Sequence, residues 1–497
     1  MCPNHPAILL LLLLLCGGAG CLSAPDGGDG DDLSVRAATE MADGNYRTAA
    51  DLYEQAYARS LAAGDADGAL ADRNGMFRAT RAVIEFPFNR SAAEAEMRQK
   101  VPNLTAPEMD QWLDGRAQTI RSDGEVLYYE NIAIDFLYAH PERLHPIADR
   151  VVDFDYTSRY ALAEAQEGAL PYRNPVRYAG TERLDLPADS LPVNGTLRVW
   201  FPLPLETDSQ QDVSVANLSH PEYIVTGPVT EGRIGYVYYE VPIEALDGDL
   251  VISADIAFTS YEQIFEVDPA SVLDYDTSDP DYILYTSSSR NIEVTDGVRD
   301  LAASIAGNET NPCLAVHAVY RSIIDTYPYS QVPHASLDTV EPKVAESSYM
   351  LATGHGDCGT QSMLFAALCR SLGIPARAAG GYQMLLAETP GTHFWAEYYI
   401  EGYGWVPCDT TVAEIADWVA IPEEERERFK TYYADRLDPA RLVIQTDVDA
   451  PMDPAIPDDA VVFRPVRQFP AVVCDGAAAD MDVLSAEHFS IDLAAEG

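Results

Sequence analysis

The chain has 497 residues, of which 47% are hydrophobic and 22% charged, and its formal net charge is −47. This length predicts several domains, and this composition is typical of folded proteins rather than disordered ones. So negative a surface argues against nucleic acid and anionic membranes as partners.

The first 21 residues resemble an export leader. A leucine-rich block over 7–15 precedes small residues that end at Cys21, and the block is shorter than the roughly 20 residues that cross a bilayer. We therefore predict a lipoprotein leader with Cys21 as the lipidation site, although its head has no Lys or Arg. An uncleaved or merely secretory leader is the alternative. The expected location is extracellular, either secreted or lipid-anchored on the outer face of the cytoplasmic membrane, with a flexible acidic tether over 22–33.

Residues 34–165 are predicted to form an all-α region. Small and aromatic residues between Ala37 and Ala56 surround a Gly44-Asn45 turn and resemble one tetratricopeptide repeat. Thr105 with Glu108 is the signature of a capping box at the start of a further helix. We expect a packed helical support, with peptide binding as the alternative.

Three further regions follow in chain order. Alternating patterns such as "GTLRVWFPLPLE" and "RIGYVYYEVPIE" predict a β-sandwich over 170–267, with a role in interaction or support. Residues 268–436 mix helical and strand patterns and hold the expected catalytic domain. The acidic, proline-rich extension over 437–497 is expected to wrap the surface without a core of its own. The predicted fold class is therefore multidomain α+β.

One cysteine stands out in "GHGDCGTQSMLFAALCRSLGIPARAAGGY", which spans 354–382. Asp357 is a favourable N-cap and Pro375 prevents continuation, so a helix from Cys358 to Leu372 is predicted. Cys358 then lies in the first turn, where free N–H groups and the helix dipole stabilise a thiolate and can receive an oxyanion. These close interactions should outweigh the negative field of the whole protein, so Cys358 should alkylate near about pH 5 to 6.

A base and its orienting group are available further along the chain. "GTHFWAEYYI" predicts a strand that carries His393, and "GYGWVPCDTT" predicts a second strand that ends at Asp409. A carboxylate beside the imidazole would fix its tautomer and support its cation. Trp395 and Trp405 are expected to be walls of the core or cleft, and His317 a core histidine without a role.

Four fragments over 347–411, Gly-x-Cys, Gly-Ile-Pro-Ala-Arg, His-x-Trp and Gly-Trp-Val-Pro-x-Asp, resemble the transglutaminase-like superfamily. Looser similarity to multidomain archaeal and bacterial members extends over 104–466. The resemblance implies a papain-like α+β core with Cys358 as nucleophile, His393 as general acid/base and Asp409 as orienter, and it implies no cofactor. Two positions depart from the pattern of the family: Thr410 stands where many relatives have proline, and Cys408 stands where relatives often have a bulky apolar residue.

The resemblance implies an exported thiol enzyme, a cysteine peptidase or acyltransferase, that acts on peptide or protein amide bonds through a thioester. Because secreted prokaryotic relatives are peptidase-like, hydrolysis is favoured over cross-linking. One alternative is a non-catalytic cell-surface scaffold with a vestigial domain.

Another alternative is a zinc site built from His355, Cys358, His393 and Cys408. Cys408 and Asp409 point to opposite sides of an extended strand, however, so only one of them can face the histidine. The pattern leaves open the substrate, the oligomeric state and any disulfide among Cys313, Cys369, Cys408 and Cys474.

Overall fold

The computed structural model describes residues 30–163, 171–337, 344–387, 389–462, 468–477 and 479–496. The predicted leader with Cys21 and most of the predicted tether lie outside the described residues. Helix α1 (Gly30–Ala42) begins within the predicted tether, so the end of that segment is helical. Within the described ranges, no helix is both long and apolar enough to span a membrane.

The N-terminal region is mainly helical. Its elements are α1, α2 (Tyr46–Ala63), α3 (Ala66–Ile84), α4 (Arg90–Lys100), α5 (Ala106–Gly115), β1 (Thr119–Ser122), β2 (Glu125–Tyr128), α6 (Ile132–Ala139), α7 (Pro141–Leu144), a 3₁₀ turn (His145–Arg150) and α8 (Phe154–Thr157). The predicted capping box of Thr105 and Glu108 begins α5. The resemblance to a tetratricopeptide repeat stays a prediction.

The prediction of an all-α N-terminal region is wrong at β1 and β2, which form an antiparallel hairpin. Asp123 and Gly124 have φ values of 51° and 79° at its turn, and two consecutive positive φ values suit the twist of a two-residue hairpin. The side chain of Asp123 also accepts from the Thr48 hydroxyl at 2.7 Å, which ties the hairpin to α2.

The central region forms strands that belong to two sheets. They are β3 (Tyr172–Leu186), β4 (Thr196–Pro202), β5 (Gln210–Ala216), β6 (Ile224–Val229), β7 (Tyr236–Pro242) and β8 (Leu250–Ile264). Strand β3 pairs with β8, and β4 pairs with β7. Inward-facing residues such as Val199 and Ile252 are fully buried in one common core.

The region after residue 268 surrounds a central helix. Its elements are α9 (Pro280–Thr286), α10 (Asp296–Ala306), α11 (Pro312–Thr326), α12 (His334–Leu337), α13 (Glu346–Thr353), α14 (Cys358–Ser371), β9 (Ala376–Gln383), β10 (Gly391–Ile400), β11 (Gly404–Cys408), α15 (Thr410–Trp418) and α16 (Glu423–Tyr432). Helix α14 packs against β9 and β10. Its apolar residues from Met363 to Cys369 are fully buried, as expected for a helix that is apolar on all sides.

The C-terminal extension is built into the sheets, so the prediction that it wraps the surface is wrong. It forms β12 (Arg436–Leu437), β13 (Arg441–Gln445), β14 (Ala471–Cys474), α17 (Met481–Glu487) and β15 (Phe489–Ala495). Strand β13 completes the order β11-β10-β9-β13, whereas β14 pairs with β4, and β12 and β15 lie at the ends of the order β12-β8-β3-β15. Buried apolar side chains of these strands join the common core, among them Leu437, Leu442, Val472 and Leu493. The sheets of the central β region therefore include strands that lie outside the predicted limits 170–267.

Candidate active site

The Cys358 thiol lies at the start of α14, as the sequence predicts. The Asp357 side chain accepts from Thr360 N–H at 3.0 Å, and the Thr360 hydroxyl accepts from Asp357 N–H at 2.8 Å, which completes a capping box. The capping box fixes the first turn, and with it the position of the thiol. Cys358 is partly accessible to solvent, whereas the rest of the helix up to Arg370 is buried.

Strand β10 passes directly beside the sulfur. The backbone N–H groups of Phe394 and Gly359 lie near the Cys358 sulfur and favour its thiolate. His393 immediately precedes Phe394 and is only 7% exposed. Residues that are 35 positions apart in the sequence are therefore brought together by the packing of α14 against β10.

The imidazole of His393 is held by Asp409. His393 Nε2 lies 2.8 Å from Asp409 Oδ2 in a buried hydrogen bond. Asp409 is also the N-cap of α15, where its Oδ1 accepts from Val412 N–H at 3.0 Å. Because a neutral imidazole has one donor and one acceptor nitrogen, a bond from Nε2 to the carboxylate leaves Nδ1 as the acceptor.

The Asp409 carboxylate is held in its ionised form. Burial by itself would raise the pKa of Asp409, but the attraction of His393 and Arg441 outweighs it and holds the pKa well below its usual range. Arg441 Nη1 donates to Asp409 Oδ2 at 2.8 Å. An ionised carboxylate is the form that can orient the imidazole and stabilise its cation.

The electrostatics of Cys358 differ from the sequence expectation. Burial raises the pKa of the Cys358 thiol well above its usual range, and the Asp357 carboxylate adds to this increase. The Phe394 and Gly359 N–H groups act in the opposite direction but do not prevail. The prediction of a stabilised thiolate is therefore wrong. The position of Cys358 at the start of the helix could be predicted from the sequence, whereas the extent to which protein surrounds the thiol could not.

The other residues singled out from the sequence lie apart from this arrangement. The His355 ring bonds the Arg116 carbonyl through Nε2 at 2.8 Å, and no three or more His, Cys, Asp or Glu side chains in the described ranges are grouped to hold a metal ion. His317 is half-buried, with Nε2 3.7 Å from Asp435. Trp395 is a core residue at 1% exposure, and Trp405 stacks against the Arg377 guanidinium.

The five cysteines in the described ranges form no disulfide. Cys313, Cys369, Cys408 and Cys474 are free and buried, and Cys358 is free and partly exposed. Cys408 lies near the buried Cys369, whereas the next residue, Asp409, faces His393. Consecutive side chains at the end of β11 thus point to opposite sides, so that Asp409 contacts the histidine and Cys408 does not.

Sequence reasoning missed three polar residues around the site. Arg441 bonds Asp409, and Gln468 Nε2 donates to the His393 carbonyl at 2.8 Å. His334 Nε2 lies 2.5 Å from Asp357 Oδ2, and its Nδ1 lies 3.5 Å from Glu346 Oε1. A single arginine at the start of the apolar run "RLVIQ" was the only available signal for Arg441. The sequence contained no signal that pointed to Gln468 or His334.

Residues 299–410 match the sequence profile described as the transglutaminase-like superfamily, so the chain contains a transglutaminase-like core. The match contains Cys358, His393 and Asp409, and it confirms the family predicted from the four fragments.

More distant likenesses extend beyond this core. An uncharacterized protein from Haemophilus influenzae is 23% identical over 246 residues, which cover 44% of this chain and 64% of the relative, just under two thirds of its length. A structure described as that of a proposed cysteine protease from Cytophaga hutchinsonii is 19% identical, with a TM-score of 0.43 over 66% of this chain and 92% of that chain. The periplasmic domain of TgpA from Pseudomonas aeruginosa is 14% identical, with a TM-score of 0.25 over 54% and 99%.

Proposed function

We propose that the protein is a thiol enzyme that cleaves peptide or protein amide bonds with Cys358 as nucleophile, His393 as general acid/base and Asp409 as its orienter. The observation that carries the proposal is the buried hydrogen bond between His393 and Asp409 beside the strand that passes Cys358. The backbone N–H of Phe394, the residue after His393, lies near the Cys358 sulfur and favours its thiolate. A transglutaminase-like core supports a thiol mechanism.

The proposed chemistry begins from the thiol form of Cys358, because burial raises its pKa and so favours the protonated sulfur. As the sulfur attacks the amide carbon, His393 Nδ1 takes the thiol proton and a carbon–sulfur bond forms. We propose that the Gly359 N–H, which lies near the sulfur, donates to the oxyanion. His393 then gives its proton to the amine as the carbon–nitrogen bond breaks, which leaves a thioester on Cys358.

We propose that water is the usual acceptor of the acyl group. Water attacks the thioester carbon, its proton passes to His393, and the carboxylic acid leaves as the thiol is restored. An amine acceptor would give cross-linking through the same thioester. Cys358 keeps some contact with solvent although protein surrounds its thiol. This contact supports hydrolysis, since transfer to an amine requires a site from which water is excluded.

The proposal is tested by trapping the acyl group. The protein is incubated with blocked peptide amides, quenched in acid and digested, and the Cys358 peptide is examined by mass spectrometry. We expect an acyl adduct on Cys358, and a loss of amide cleavage of roughly 10³-fold or more in Cys358→Ala. Cys474→Ala is the matched control, because Cys474 is a buried free thiol outside the site. Cleavage by Cys358→Ala at the parent rate would contradict the proposal.

The same assay with added hydroxylamine or glycine ethyl ester separates the two acceptors. We expect the free acid as the main product in water and an amine adduct only at high amine concentration. A main product joined to the amine at low amine concentration would assign the protein as a cross-linking acyltransferase and leave the thiol mechanism intact.

We also propose that the protein is exported and anchored by a lipid on Cys21. The support is the apolar block followed by small residues and a cysteine at the start of the chain. Metabolic labelling with a fatty-acid analogue tests it. Label should appear in the parent and be absent in Cys21→Ser, and equal labelling of the two would contradict the anchor.

A further inference from the structure

Arg441 reaches the proposed triad from outside the transglutaminase-like core, which ends at residue 410. It is the first residue of β13, and β9 lies between β13 and β10. Its side chain is only 2% exposed, and every hydrogen bond described for it goes to a carboxylate. Nη1 donates to Asp409 Oδ2 at 2.8 Å, while Nε and Nη2 donate to Asp438 Oδ2 at 3.1 and 2.6 Å.

The Asp409 oxygen that contacts the imidazole is shared. Oδ2 lies 2.8 Å both from His393 Nε2 and from Arg441 Nη1, while Oδ1 is fixed by Val412 N–H. The carboxylate therefore cannot rotate without breaking a charge-assisted hydrogen bond in a buried site. Arg441 thus determines where the acceptor for His393 lies.

Arg441 also affects the charge that His393 experiences. A carboxylate alone stabilises an imidazolium strongly, which helps the ring to take a proton but hinders its release. A guanidinium on the same oxygen offsets part of that negative charge. The proposed reaction needs both steps, since His393 takes a proton from the thiol and then gives it to the departing amine.

We propose that Arg441 is a positioning residue of this site, which fixes Asp409 Oδ2 against His393 Nε2 and moderates the hold of that carboxylate on the imidazolium proton. The inference rests on the proposed thiol function. Gln468 supports it independently, because a second residue beyond the core fixes the His393 backbone through its carbonyl. Among the described residues, the charged and titratable groups around His393 and Asp409 are Cys358, Asp357, Arg441, Asp438, Cys408, Tyr320 and Tyr433.

The decisive variant is Arg441→Met combined with Asp438→Asn. It removes one positive and one negative charge together, so the net charge of the buried cluster is unchanged. Asp438→Asn alone is the matched control, because it keeps the bond from Arg441 to Asp409. Circular dichroism and a cooperative urea transition show whether each variant is folded.

The readouts are the pH profile of kcat/KM and, without substrate, the ¹⁵N NMR signals of the His393 ring, which show which ring nitrogen bears the proton. In the double variant we expect the acid limb of the profile to move to higher pH, kcat/KM to fall at least about tenfold, and the ring to populate a second tautomer beside the Nε2–H form. Asp438→Asn should keep the parent's tautomer, because it keeps the bond from Arg441 to Asp409. A folded double variant with the parent's acid limb and tautomer would overturn the inference.

Arg441→Lys decides the matter if the double variant does not fold. It keeps the charge but loses the planar fork, so kcat/KM should fall by about tenfold while the acid limb of its pH profile stays in place. Full activity with lysine would contradict a positioning role. The NMR measurement needs no turnover. It therefore tests the role of Arg441 even where full activity in Cys358→Ala shows that the proposed function has failed.

Discussion

At the residue scale, the Cys358 sulfur is subject to two opposed influences. The Phe394 and Gly359 N–H groups favour its thiolate, whereas burial and the adjacent Asp357 carboxylate favour its thiol and prevail. His393 beside the sulfur supplies the base that a neutral thiol requires. The proposed enzyme therefore stores a protonated nucleophile and activates it during attack.

The pH dependence of alkylation tests this conclusion. Because only the thiolate reacts with iodoacetamide and the pKa of Cys358 is raised, labelling should be slow at about pH 6 and rise steeply towards pH 9. Mass spectrometry of the Cys358 peptide measures the rate. Cys474, whose pKa burial raises to about 12, serves as the internal control. Labelling of Cys358 at pH 6 as fast as at pH 9 would instead show a resting thiolate.

His334 is expected to stabilise the start of α14. In His334→Leu the buried Asp357 carboxyl loses its bond to Nε2, and an unsatisfied buried group costs about 1 to 3 kcal/mol. Urea unfolding should show this loss, and His334→Gln, which retains a donor, should recover part of it. His140→Ala at a more exposed ring serves as control. Equal stability of His334→Leu and the parent would rule out the stabilising role.

The candidate site could be predicted from the sequence only where local motifs define it. Cys358 follows an N-cap, His393 lies on a strand that begins at a glycine, and Asp409 directly follows another, so each has a local signature. Arg441, Gln468 and His334 act through contacts between segments 23 to 75 residues apart. Such pairings depend on packing, which no local pattern records.

At the element scale, the segment 329–337 between α11 and α13 is held by buried carboxylates. Tyr329 N–H donates to Glu414 at 2.6 Å, Gln331 N–H to Asp135 at 2.8 Å and Ser336 N–H to Glu85 at 2.9 Å. These three acceptors come from α15, α6 and the end of α3. The segment that carries His334 is thereby tied to the N-terminal region as well as to the core.

These carboxylates make stability depend on pH. Burial raises the pKa of Asp135 to about 7, whereas an exposed aspartate titrates near about 4. The folded state therefore binds a proton that the unfolded state has lost, and this contribution to the free energy of unfolding disappears as pH rises from about 4 to 7.

Asp135→Asn should flatten that decline by a few kcal/mol at most. Urea unfolding at several pH values measures the slope, and Asp155→Asn at an exposed position is the control. A slope in Asp135→Asn equal to that of the parent would contradict this origin of the pH dependence.

Elements with local signals were predicted well, and elements defined by distant partners were not. Helix α14 begins at the predicted Cys358, and α5 begins at the predicted capping box. The strand β13 joins the sheet of the site through β9, some 60 residues earlier in the chain. Its proline-rich and acidic surroundings suggested only a surface segment, because composition does not reveal a pairing partner.

At the scale of the whole molecule, the net charge of −47 opposes compactness. Salt should therefore stabilise the fold, since the screening length falls from about 10 Å at 0.1 M to about 3 Å at 1 M. We expect Tm to rise by several degrees between these concentrations in a thermal unfolding experiment. A falling Tm would mean that screened ion pairs outweigh the relieved repulsion.

The late position of β13, β14 and β15 in the chain has a consequence for biosynthesis. These strands close the edges of three sheets, yet they are among the last segments to leave the ribosome. Until residue 441 has emerged, a nascent chain that already contains Cys358, His393 and Asp409 lacks the guanidinium that holds the carboxylate. If the protein has the proposed function, its full rate of amide cleavage is thus reached only after residue 441 has emerged and folded.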